Sequence, residues 1–232
     1  MKLICYIVCL SLSISVMAQD DNNEDKAQLY KDYREDQFYV GVTYNVLINR
    51  PADVTQSGFS PGIQLGFLRD MPINKQRNLA VALGLGLSFN SYQHNIYISE
   101  AESGYNYELA TNIANNVTTN KLTTYGIEIP LELRWRTSTP TEYSFWRIYA
   151  GFKLGYVLHN RYRFKADGFD ELLTQIEDFN TLEYGLTLSA GYGTWNFHVY
   201  YGLNPLFSSA AQLNANALDM SQLKLGLMFY IL

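Results

Sequence analysis

From Leu79 to Asn90 every second residue is large and apolar, and the residues between them are small. Leu79, Val81, Leu83, Leu85, Leu87 and Phe89 share one face; Ala80, Ala82, Gly84, Gly86, Ser88 and Asn90 share the other. A period of two is the mark of a β-strand, and the small face suits the interior of a narrow barrel, which has room for little more than side chains. A soluble barrel points its bulky apolar face inward and needs an ordinary polar surface outside. Here the residues opposite the bulky face are Gly and Ala, and in the segment 123–136 they are Glu128, Pro130, Glu132, Arg134 and Arg136. Such residues are too small and too charged to make a soluble core, so the apolar face is expected to meet lipid.

The same pattern recurs along the chain. Expected strands cover 38–48, 62–69, 79 past Tyr92 toward Ile98, 123–136, 146–158, 182–192, 195–203 and 223–232. In the first, Phe38, Val40, Val42, Tyr44, Val46 and Ile48 face lipid; in the fourth, Tyr125, Ile127, Ile129, Leu131, Leu133 and Trp135 do. A charge facing lipid in mid-bilayer costs ~2–4 kcal/mol, which fixes this parity energetically as well as by pattern. The connections alternate long and short, with long loops near 49–58, 99–120, 159–180 and 204–218. Within the third long loop Phe169, Leu172, Leu173 and Ile176 fall at helical spacing and predict a short amphipathic helix. The expected fold is all-β, an eight-stranded antiparallel up-and-down transmembrane β-barrel of outer-membrane type, with the long loops extracellular and both termini periplasmic.

The ends of the chain fit export. Residues 1–18 read as a secretory signal: Lys2, an apolar run 3–16, and Ala18 before the expected cut at Gln19. Residues 19–36 form a polar periplasmic lead, briefly helical near 26–34, and 37–232 form the barrel. Cys5 and Cys9, the 2 cysteines of the chain, both lie in the signal, which leaves the mature protein without thiol, disulfide or cysteine metal site. Aromatic residues make up 15% of the chain, 19 of them Tyr, as expected of interfacial girdles. A net charge of −5 gives no reason to expect a nucleic-acid partner.

Five segments carry a family resemblance. Tyr125-Gly126-Ile127-Glu128-Ile129-Pro130-Leu131, Tyr149-Ala150-Gly151-Phe152-Lys153-Leu154-Gly155-Tyr156, Leu188-Ser189-Ala190-Gly191-Tyr192-Gly193, Tyr200-Tyr201-Gly202-Leu203-Asn204 and the terminal 223–230 resemble the PorT-like outer-membrane barrels of Bacteroidota. The resemblance runs from Phe38 to Leu232. It implies an outer-membrane location and, through the family's namesake, an accessory role in type IX secretion as a secondary reading.

Candidate chemistry is sparse. Glu128, Glu132, Arg134, Arg147 and Lys153 are expected inside the barrel on adjacent strands. They read as a structural charge network filling the lumen, since carboxylates in a poorly hydrated interior need partners to stay ionised. A proton or ion path is the competing reading. His94 with Ser88 and Ser91, His159 and His198 are the candidates for a lipid-modifying enzyme, but a rim histidine is usually a polar loop residue. No cofactor or metal is expected, and the chain is read as a non-enzyme. A small pore is disfavoured by the strand count.

The final strand should also carry an assembly signal for the barrel-insertion machinery, through Lys224, Gly226, Phe229 and Ile231. The expected partners are outer-membrane lipid, that machinery, and secretion-system or surface proteins docking on the loops. The tightest expected turn is Gly193-Thr194, of type II′, which pairs Tyr192 with Trp195 and Ser189 with His198 and turns His198 into the lumen.

Overall fold

The computed structural model describes residues 36–102, 104–137 and 145–231. The expected signal, the polar lead up to residue 35 and residues 138–144 of the expected turn lie outside the described residues. The elements in chain order are β1 (Gln37–Ile48), β2 (Pro61–Pro72), β3 (Leu79–Gln93), β4 (Ile96–Ala101), β5 (Gly104–Leu109) and α1 (Ala110–Ile113). They continue with β6 (Thr119–Arg136), β7 (Trp146–Ala166), β8 (Phe169–Thr174), β9 (Leu182–Tyr192), β10 (Trp195–Gly202), β11 (Gln212–Leu213), β12 (Asn216–Ala217) and β13 (Ser221–Ile231).

Eight of these strands close a ring in the order β1-β2-β3-β6-β7-β9-β10-β13, with β13 hydrogen-bonded back to β1. Every pairing around the ring is antiparallel. Closure leaves the wall without a free edge, so its strands hydrogen-bond to one another around the whole ring, which is the condition for crossing a bilayer with strands. The parity read from the sequence holds. Phe38, Val40, Val42 and Tyr44 on β1, Leu83, Leu85 and Leu87 on β3, and Ile129, Leu131, Leu133 and Trp135 on β6 are exposed on the outer wall, as are Trp195 and Phe197 (65% and 76%). An apolar exterior of this extent would aggregate in water; it needs lipid.

Aromatic residues mark the two interfaces. At the short-turn end Tyr192 packs on Trp146 (5.4 Å) and Trp195 on Phe229 (5.0 Å). At the long-loop end Phe89 packs on Tyr125 (5.1 Å) and Tyr125 on His159 (6.1 Å). On β6, Tyr125 and Trp135 are ten residues apart, the length of ~9–11 residues that a tilted strand needs to cross. β6 (18 residues) and β7 (21 residues) therefore continue well past the bilayer at the long-loop end. The register shift between Tyr125 and Gly126, opposite Leu158, flips the outer face of β7, so that Arg161, Arg163 and Lys165 point outward above it.

The tight turn has the expected register. Tyr192 pairs with Trp195, Gly191 with Asn196, Ser189 with His198 and Thr187 with Tyr200. Gly193 has φ +57° while Thr194 has no positive φ, as a type II′ turn requires.

The long connections differ from expectation. The segment 169–176 is not a helix: Phe169–Thr174 is strand β8, paired antiparallel with the extended β7. Gly168, with φ +78°, turns the chain after Asp167, and a ready antiparallel partner then outweighs a weak helical spacing. The third strand stops at Gln93 and does not run on to Ile98; His94-Asn95 breaks it before β4, which pairs with β5.

Candidate functional site: the filled lumen and its cap

Side chains of the inner parity fill the barrel in layers. At the short-turn end Asp70 accepts hydrogen bonds from Arg136 Nη1 (2.9 Å) and Nη2 (2.8 Å) and from Arg134 Nη1 (3.2 Å), with all three side chains fully buried. Arg134 Nε also donates to Glu132 Oε2 (3.0 Å), and its guanidinium lies 4.6 Å above the Tyr149 ring. Arg136 Nε donates to the Arg77 carbonyl. Charge-assisted, partly bidentate geometry of this kind offsets the desolvation of buried ions.

One layer further in, Glu128 Oε1 accepts from Tyr39 Oη (2.7 Å) and Lys153 Nζ (3.1 Å), and Lys153 also donates to Gln64 Oε1 (2.6 Å). Small residues make this reach possible: a Cβ on Gly86 would stand 2.0 Å from Tyr39 Oη. Lys224 sits over the Tyr200 ring at 4.9 Å. Beside them Ser189 Oγ lies 2.8 Å from His198 Nδ1 and accepts from Tyr230 Oη (3.1 Å). Toward the long-loop end, Tyr92 Oη donates to Gln222 Oε1 (2.7 Å).

Of the expected network, Glu128 meets Lys153 and Glu132 meets Arg134. Arg147 is inside as expected but packs on rings, 4.4 Å from Phe145 and 5.7 Å from Tyr230, with Nε and Nη1 unpartnered among the described residues. Asp70, the hub of the short-turn cluster, was not among the expected residues. The reading ended the second strand at Arg69, whereas β2 runs to Pro72, and the parity of Gln64, Gly66 and Leu68 continues to Asp70. Tyr39 and Gln64 were likewise missed as partners, being neutral.

Above the lumen the four long connections fold together into a cap with its own apolar core. Ile96, Ile98, Tyr107, Tyr162, Phe164, Phe179, Phe207, Leu213 and Met220 are among its buried residues. Hydrogen bonds tie the connections pairwise. Asn95 Nδ2 donates to the Asp53 carbonyl (2.9 Å), Tyr97 Oη to Glu171 (3.2 Å), Tyr107 Oη to Asp178 (3.0 Å) and Asn180 Nδ2 to the Phe207 carbonyl (2.9 Å). His94 lies inside the cap and stacks on Tyr162, its Nδ1 accepting from the Ile96 amide (3.2 Å) and its Nε2 without a partner among the described residues. Burial lowers its pKa to about 4, so it is neutral there. The cap was missed because its apolar residues are scattered over four connections. The period-two pairs Ile96 with Ile98 and Tyr162 with Phe164 were the available signal.

The end strand places the four residues of the expected assembly signal as follows. Lys224 points into the lumen; Gly226 faces Thr43 and His198 across its two neighbours; Phe229 pairs with Val40 and Trp195; Ile231 pairs with Phe38. A Cβ on Gly226 would stand 2.0 Å from the Val42 carbonyl oxygen, so only glycine lets β13 approach β1 this closely. Among the described residues no group of three or more His, Cys, Asp and Glu is arranged to hold a metal ion.

A closed antiparallel wall, apolar outside and packed with paired polar groups inside, is an integral outer-membrane-type β-barrel. The profile of the Outer membrane protein beta-barrel domain matches residues 17–208, and the chain belongs to that family. No curated protein matches it.

Proposed function

We propose that this protein is a non-enzymatic outer-membrane barrel that docks partner proteins on its loop cap, with the long-loop end outside the cell and both termini in the periplasm. The cap carries the reading. Four connections are tied into one apolar core, so they offer an ordered surface where unpacked loops would offer a mobile one. The alternation of long and short connections supports the orientation. The filled lumen argues against a pore. The Ser189–His198 pair is walled inside that lumen and His94 is buried in the cap, which argues against lipid-modifying chemistry.

The remaining partners follow from the wall: lipid around it, and the insertion machinery reading Lys224, Gly226, Phe229 and Ile231 on β13. A finer reading, membership of the PorT-like barrels of Bacteroidota and an accessory place in type IX secretion, is supported by the five resembling segments. Each of them falls on or at the end of a wall strand.

The test is site-directed crosslinking in intact cells from a cysteine placed on the cap, for example Glu102→Cys. A discrete protein adduct that needs the cap cysteine is expected. An inserted barrel that yields none, with a mass change in cellular lipid A on deletion of the gene, would replace docking by enzymatic work.

A further inference from the structure

Above the aromatic ring at the long-loop end, the outer face of β6 and β7 is cationic. Lys121 pairs with Arg163, Thr123 with Arg161 and Thr119 with Lys165. These six residues, with Phe89 and Tyr125 beneath them, line an open cleft of about 410 Å³. The chain as a whole is acidic at −5 and has 17 Lys and Arg, yet four of them gather on this one small face. A single carboxylate on β8 opposes them: Asp170 lies 2.7 Å from Arg163 Nη2 and 3.5 Å from Lys165 Nζ. Asp167 accepts from Asn116 Nδ2 instead. Lys121 and Arg161 have no ion-pair partner among the described residues, so the face keeps unspent positive charge.

The position of the charge matters as much as its amount. Phe89 and Tyr125 mark the level where the wall leaves hydrocarbon, and Leu85 and Leu87 on β3 are exposed to lipid just below. Thr119 and Thr123 flank Lys121 on the same face of β6. The cleft thus joins an apolar wall, an aromatic ledge and a cluster of guanidinium and ammonium donors within one vertical strip. Arg and Lys together at a membrane surface select phosphate, Arg by fork geometry and Lys as a point charge.

We propose that this cleft holds the phosphorylated head group of an outer-leaflet glycolipid, whose acyl chains lie along the β3–β6 wall below. The proposal rests on the outward placement of the long-loop end. Lys121 and Arg161 are its principal donors, Arg163 is shared with Asp170, and Tyr125 carries the sugar above the chains.

Native mass spectrometry of the full chain in detergent micelles tests it, with four probes: bis-phosphorylated lipid A, the same lipid dephosphorylated, its deacylated head group, and inorganic phosphate. The phosphorylated lipid should bind at least tenfold more tightly than any of the other three. The double variant Lys121→Gln with Arg161→Gln should lose at least tenfold, while Arg69→Gln, a charge removed at the short-turn end, should lose nothing. Equal binding of phosphorylated and dephosphorylated lipid would overturn the proposal. So would inorganic phosphate or the free head group binding as well as the lipid, since the site would then be one for a soluble anion. These arms use the unaltered protein and stand even where the double variant fails to insert. Binding in micelles is independent of insertion direction, which cysteine labelling of the cap in intact cells reads separately.

Discussion

Asp70 holds Arg134 and Arg136 together in a place with no solvent, and removing it leaves two guanidinium groups facing each other. Breaking a buried pair from one side costs ~3–5 kcal/mol, more than any surface change on this chain should. Asp70→Ala is therefore expected to lower sharply the urea concentration at which the folded, heat-modifiable band is lost. A midpoint unchanged from the parent would contradict the hub. His94 makes a pH-dependent prediction. In the fold it stays neutral down to about pH 4, whereas an unfolded histidine protonates near pH 6.5. The unfolded cap thus binds the extra proton first, and stability falls as pH drops from about 6.5 to about 4, with no dependence on this group above that window. Amide exchange at Ile96 and Ile98 should accelerate over the window beyond its intrinsic pH trend, and His94→Phe should flatten the effect. Parallel curves for parent and variant would refute it.

At the scale of the element, the seam between β1 and β13 decides whether the wall is closed. Val42 and Leu227 are register partners on its outer side. Val42→Cys with Leu227→Cys should form a disulfide readily on oxidation, because paired Cα atoms lie within disulfide range. Val42→Cys with Leu223→Cys, displaced by four residues, should not; crosslinking of the displaced pair would mean another register or an open seam. Elements also show how far the sequence could be read. Strand parity was legible across the lipid-facing wall because lipid exposure imposes a strict period of two, and a slip of one residue would turn Glu132 and Arg134 into hydrocarbon. The 193–194 turn was legible because a glycine between two aromatic wall residues admits few solutions. Strand 169–174 was not, since its partner is the part of β7 beyond the bilayer. There lipid no longer sets the pattern, and a bulge reverses it. The Asp70 cluster was lost to a boundary placed three residues early, which hid a carboxylate that parity alone would have turned inward.

For the whole molecule, the wall, the lumen and the cap divide the work. The wall is satisfied by lipid outside and by its own ladder within. The lumen is filled by tyrosines and paired ions spaced around small residues. The cap gathers apolar residues of all four long connections into a core of its own. Filling from both ends is the point on which the functional account turns, because a conducting barrel would be a transporter of solutes and a filled one has only its surfaces to offer. Single-channel recording in a planar bilayer tests this directly. With heat-modifiable protein inserted, the account predicts no sustained current steps at any holding potential that the bilayer tolerates. Stable, ohmic steps from the unaltered chain would contradict it and make the Glu128–Lys153 layer a path.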